Sequence, residues 1–170
     1  MTNVVTMHGQ KLELEGKRPM VGDKAPDFTV VDTDLKEVVF SRLPAKTYVI
    51  SAVPSLDTPV CDIETRRFSK EADRMGKDVE VLTISMDLPF AQKRWCGAAG
   101  VTNVRVLSDH RQASFAKAYG VLIKDLRLLA RVVFIVDGDR NIRYVQAVDE
   151  ITNEPDYGRV LSALAGLGGP

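Results

Sequence analysis

The chain has 170 residues, 45% hydrophobic and 27% charged, which suits one globular domain over 1–170 that buries a core without metal or disulfide support. Lys plus Arg (23) balances Asp plus Glu (23), and a neutral chain has no electrostatic footprint for nucleic acid or for an anionic membrane. The start, MTNVVTMHGQ, lacks a basic stretch followed by an apolar run, and no window reaches the roughly 18 apolar residues of a membrane span, so a cytoplasmic location is expected.

Residues 1–16 read as a β-hairpin: VVTMHGQKLELEG alternates loosely around a turn at His8-Gly9-Gln10. GDKAPDF is a turn-rich entry to the short strands FTVVD and EVVF. A strong apolar strand follows, TYVISAV (47–53), ended by Pro54 and the turn formers Ser55-Leu56-Asp57. Pro59 opens a helix to about Met75, with Gly76 as its stop. Strand VEVLTISM (79–86) leads to a short helix from Pro89 that ends near Gly97 or Gly100. VRVLSD (104–109) is a strand and QASFAKAY (112–119) a helix closed by Gly120. RVVFIVD (131–137) and NIRYVQAV (141–148) make a hairpin across an Asp-Gly turn, and DYGRVLSALAGL (156–167) is a final amphipathic helix. Strands alternating with helices, plus a closing hairpin, predict an α/β sandwich around a mixed central sheet.

Two cysteines, Cys61 and Cys96, are the whole thiol inventory. A zinc site is not expected, because there is no C-x-x-C pair and only His8 and His110 could add imidazole. Cys61 follows the strand–turn–helix passage VPSLDTPVC. Thr58 is a good N-cap and Pro59 fits the first helical position, which leaves Cys61 in the first turn beside free N–H groups and the positive end of the helix dipole. A thiolate is favoured there, and the thiolate is the reactive form. The helix end contributes about 0.3–1 kcal/mol, or about 2 where partly buried, whereas lowering a thiol pKa from about 8.5 to about 6 needs roughly 3.4 kcal/mol. Asp62 and Glu64 in the same turn oppose it, and Arg66 and Arg67 point away, so a cation from elsewhere is required. Arg131, a charge opening an apolar strand, is the candidate. The plainer alternative stays open: Cys61, Phe68, Ala72 and Met75 share one helical face, and Cys61 could be core. Cys96, near the end of PFAQKRWC, sits where a helix disfavours an anion. It is a poor first nucleophile, an acceptable second one, and by itself reads best as packing beside Trp95.

The run PSLDTPVC contains P-x-x-x-T-x-x-C as Pro54, Thr58 and Cys61 and resembles the active-site signature of the peroxiredoxins. GDKAPDF (22–28) and LLARVVFIVD (128–137) resemble two further stretches of that family, the second carrying its arginine as Arg131. DTPVCDIETRRF, FAQKRWCG, SDHR, AYGV and VDEITNEPDY extend the likeness over essentially the whole chain and point to the bacterial thiol peroxidases, the atypical two-cysteine peroxiredoxins. The resemblance implies a thioredoxin-like fold with an N-terminal hairpin, a homodimer, no cofactor, and reduction of hydrogen peroxide and organic hydroperoxides with a thioredoxin-like protein as reductant. It implies Cys61 as peroxidatic and Cys96 as resolving cysteine, joined in an intrachain disulfide. Pro54 would shield the thiolate, while Thr58 and Arg131 contact it and the peroxide. Because a disulfide needs Cα atoms within about 7 Å, the sulfurs are expected to lie out of bonding range while both helices are intact. A thiol–disulfide oxidoreductase on the same fold would need a second cysteine in the C-x-x-C position, which Asp57-Thr58-Pro59-Val60 does not supply. A redox-sensing or holdase module is the non-enzymatic alternative. His8 reads as a hairpin residue, His110 as a turn residue, Trp95 as packing, and Asp149, Glu150, Glu154 and Asp156 as solvated loop residues.

Overall fold

The computed structural model describes residues 3–167. The elements are β1 (Val4–Met7), β2 (Gln10–Glu15), β3 (Thr29–Val31), β4 (Glu37–Val39), β5 (Thr47–Ala52), α1 (Pro59–Ala72), β6 (Val79–Ser85), α2 (Pro89–Ala99), β7 (Arg105–Ser108), α3 (Ser114–Ala118), β8 (Leu122–Ile123), β9 (Leu128–Leu129), β10 (Val132–Val136), β11 (Ile142–Ala147) and α4 (Tyr157–Leu167). Seven strands form the central sheet in the order β11-β10-β5-β6-β7-β3-β4, and a second, four-stranded sheet runs β1-β2-β8-β9. β5, β6 and β7 are parallel, while β10, β11 and β3 add antiparallel pairs, so the sheet is mixed as expected.

Side-chain alternation along the strands sorts the core into two layers. Tyr48, Ile50 and Ala52 of β5 join Val132, Phe134 and Val136 of β10 under α3 and the small sheet, together with Phe115 and Tyr119. Val49 of β5, with Val133 and Ile135 of β10, faces the opposite way, under Phe68 of α1 and Val160 of α4. Every residue of β10 is fully buried, as a near-continuous apolar run in a doubly covered strand should be. The same alternation assigns Ser51 and Arg131 to the α1 layer, because they keep step with Val49 and Val133 and register places Ser51 opposite Val133. Two polar residues are thereby delivered beneath one helix.

The hairpin turn is left-handed at His8 (φ 50°) and Gly9 (φ 82°), the geometry that matches the twist of the paired strands. Its exit packs on the body through Gly120 (φ +64°), where any Cβ would collide with the Arg18 backbone. Two differences from the sequence expectation stand out. α1 ends at Ala72 instead of Met75, because Arg74 and Met75 donate to Glu71 and Ala72 in tighter i−3 turns. β8 and β9 are new: each is two residues long, too short to carry a period; Leu14 and Glu15 of the hairpin pair with β8, and β9 pairs with the other side of β8.

Candidate active site

α1 begins where β5 delivers the chain to the end of the sheet. Thr58 is extended (φ −118°, ψ 150°) and Pro59 takes the first helical position. Cys61 therefore lies in the first turn, where backbone N–H groups have no intrahelical acceptor. It has no exposed surface and packs with Val53, Leu56 and Val106, against which Trp95 and Cys96 also rest.

Arg131 reaches the sulfur from the sheet. Its Nη2 donates to Cys61 Sγ at 3.3 Å, its Nη1 pairs with Glu64, and its Nε donates to the Ile151 carbonyl at 2.9 Å. Ser51 Oγ donates to the other Glu64 oxygen at 2.9 Å. Arg131 is 2% exposed and Glu64 0%, so the hydrogen-bonded series Ser51–Glu64–Arg131–Cys61 is buried throughout. Burial by itself would lower Arg131, but Glu64 and then Cys61 outweigh it and hold the guanidinium above its usual range. Burial pushes the Glu64 carboxyl upward, against the pull of Arg131 and Ser51. The result is a fixed cation against a sulfur, a contact stronger for a thiolate than for a thiol.

Cys96 is different. It is partly exposed in the second half of α2, and its carbonyl takes the N–H of Gly100 (2.9 Å) and Val101 (3.3 Å) in a left-handed C-cap. Burial pushes its thiol above the ordinary value. Both cysteines are free, each in an intact helix. α2 is tied to α1 by Trp95, whose Nε1 donates to Asp62 Oδ1 at 2.8 Å. Arg66 Nε reaches Asp62 Oδ2 at 3.0 Å while its guanidinium lies 5.6 Å from the Trp95 ring centre. Trp95 is thus more than packing.

Of the residues singled out from the sequence, Cys61 and Arg131 are in direct contact, and Cys96 packs on the same apolar cluster. Pro54 is buried at the end of β5. Thr58 does not cap α1 through its side chain; its hydroxyl donates to the Ser55 carbonyl at 2.9 Å. Glu64, which the sequence places in the first turn beside Cys61, is buried and pairs with Arg131. The missed signal was its i+3 spacing from Cys61, which puts a carboxylate on the buried face of α1. Asp87 was also missed. It accepts from Ser55 Oγ (2.6 Å), Leu56 N (2.8 Å) and Ser85 Oγ (2.7 Å), fastening the loop before α1 to the end of β6. Glu150 is no idle loop residue either: it accepts from Gly9 N, Thr6 and Thr152. Among the described residues no cluster of three or more His, Cys, Asp or Glu is placed to hold a metal, and no helix is long and apolar enough to cross a membrane.

A family model described as Redoxin matches residues 20–161. The chain belongs to the redoxin family. It is 51% identical over 159 residues to a thiol peroxidase of Halalkalibacterium halodurans, covering 94% of this chain and 95% of that one. A thiol peroxidase of Oceanobacillus iheyensis is 52% identical over 164 residues, with 96% and 99% covered. The crystal structure of a peroxiredoxin-like protein from Aquifex aeolicus superposes with a TM-score of 0.91 at 44% identity, over 98% of both chains. The fold is thioredoxin-like, of the peroxiredoxin kind, with the N-terminal hairpin added.

Proposed function

We propose that this chain is a thiol peroxidase in which Cys61 attacks hydrogen peroxide and organic hydroperoxides. The activity follows from near-full-length likeness to thiol peroxidases at about half identity. The observation that supports Cys61 as the nucleophile is the Arg131 Nη2–Sγ contact of 3.3 Å at the first turn of α1. The thiolate attacks the terminal peroxide oxygen. The O–O bond breaks, sulfur is oxidised to sulfenic acid, and the leaving oxygen takes a proton to depart as water or alcohol. Arg131 and first-turn N–H groups face the charge that moves along the O–O bond, Thr58 contacts the peroxide from the helix entry, and Pro54 shields the sulfur. Cys96 then condenses with the sulfenic acid, releasing water and closing an intrachain disulfide that a thioredoxin-like dithiol reduces by exchange. A cytoplasmic homodimer completes the reading. Ile63, Leu88 and Phe90, exposed on and beside the first turns of α1 and α2, give that side of the molecule an apolar surface.

The test is thioredoxin-coupled consumption of cumene hydroperoxide by wild type, Cys61→Ser and Cys96→Ser. Cys61→Ser is expected to be inactive, and Cys96→Ser to react once and stall as the sulfenic acid. Wild type that consumes no peroxide would point to a redox switch on a borrowed fold.

A further inference from the structure

Arg131 has two anchors besides the sulfur. Its guanidinium is a rigid planar fork, so fixing Nε and Nη1 fixes where Nη2 points. Glu64 holds Nη1 and rides on the helix that carries Cys61; the Ile151 carbonyl holds Nε and comes from elsewhere. The Ile151 loop also grips the arginine backbone, since Val148 N donates to the Arg131 carbonyl at 3.0 Å.

That loop is held in place by the N-terminal hairpin. Thr6 pairs on both sides of Glu150: its N–H donates to the Asp149 carbonyl at 2.7 Å, and its carbonyl accepts from Ile151 N at 2.9 Å. The Glu150 side chain closes the joint. Its Oε1 accepts from Gly9 N (2.9 Å) and Thr6 Oγ1 (3.2 Å), and its Oε2 from Thr152 N (3.1 Å) and Thr152 Oγ1 (2.7 Å). These bonds, the Gly9 N–H foremost, hold its carboxyl down at about 2. At its other end the hairpin is fixed to the body independently, through Leu14 and Glu15 paired with β8 and through Lys124 N on the Glu13 carbonyl at 3.0 Å.

We propose that the hairpin is a strut for the active-site arginine, with Glu150 and Thr6 as positioning residues that act on Cys61 chemistry through Ile151 and Arg131. The strut rests on Cys61 being the reacting thiol that Arg131 serves. It gives the hairpin a part in catalysis although none of its residues touches the sulfur.

The test is a double-mutant cycle on the second-order rate of Cys61 with cumene hydroperoxide, in a Cys96→Ser background. Glu150→Ala is expected to lower the rate about tenfold, less than the roughly 10²-fold that a full 1 Å misplacement of a catalytic group can cost. Glu150→Gln, which keeps an oxygen for Gly9 and Thr6, restores most of it. In an Arg131→Lys background, where Nε is gone, Glu150→Ala changes the rate by less than about twofold. An unchanged rate in Glu150→Ala, or an equal loss in both backgrounds, overturns the strut. If Glu150→Ala does not fold, Thr6→Val removes a single hydroxyl and carries the same cycle. Iodoacetamide alkylation of Cys61 repeats the cycle without peroxide. If wild type ignores peroxide, the peroxidatic reading falls, while coupling or its absence in the alkylation rates still decides the strut.

Discussion

Arg131 shows how much one buried residue depends on its fork. Lysine at this position keeps a charge for Glu64 but cannot reach Glu64, Ile151 and Cys61 from one rigid plane. Arg131→Lys is therefore expected to fold and to lose about 10²-fold in the rate of Cys61 with hydroperoxide, the usual loss when a donor to developing charge is removed. Competition kinetics against a standard peroxidase measures this, and a rate near wild type would mean that charge alone, without geometry, drives the step. Arg131 could be nominated from sequence as a charge opening an apolar strand. Glu64 was marked only by its i+3 spacing from Cys61; its ion pair with Arg131 depends on how α1 lies over β5 and β10.

At the level of elements, the proposed Cys61–Cys96 disulfide would have to form between two free cysteines that each sit in an intact helix. The clasp from Trp95 to Asp62 and Arg66 holds these helices together beside both thiols. Asp62→Ala removes it. A net contribution of about 1 kcal/mol corresponds to roughly fivefold faster closure of the disulfide after peroxide is mixed in. Trp95 fluorescence follows that step, and mass spectrometry at high peroxide should show less sulfinic acid on Cys61. Slower closure would mean that the clasp guides α2 toward Cys61 instead of restraining it. The helices and long strands were legible in the chain because their periods repeat over many residues. β8 and β9 were not, since a two-residue strand is defined only by its partner, here the distant hairpin for β8 and β8 itself for β9.

For the whole molecule, two carboxyls bend stability in opposite directions with pH. Asp109, buried below β7, accepts the N–H groups of Phe115 and Ala116, yet desolvation pushes it up to about 6. The folded protein therefore binds that proton more tightly than the unfolded chain. The stabilisation is complete below the ordinary value of 3.8 and is lost as pH rises through about 6. Glu150, held at about 2, acts the other way: its contribution is present above 4.5 and is lost as pH falls toward 2. The Tm difference between wild type and Asp109→Asn should thus shift against wild type as pH is raised from about 4 to about 7. A difference constant over that range would show that Asp109 is ionised throughout.

What the sequence determined by itself was what short-range physics encodes. Proline and N-cap residues placed Cys61 at a helix start, apolar alternation defined the sheet, and a charge at the head of a buried strand singled out Arg131. Tertiary structure alone decided which groups complete the site. Ser51 and Arg131 face α1 because strand parity and register put them on one side of the sheet, and only packing reveals that side. The Ile151 carbonyl is a backbone group with no side-chain signature, and it meets Arg131 because a hairpin from the other end of the chain holds its loop in place.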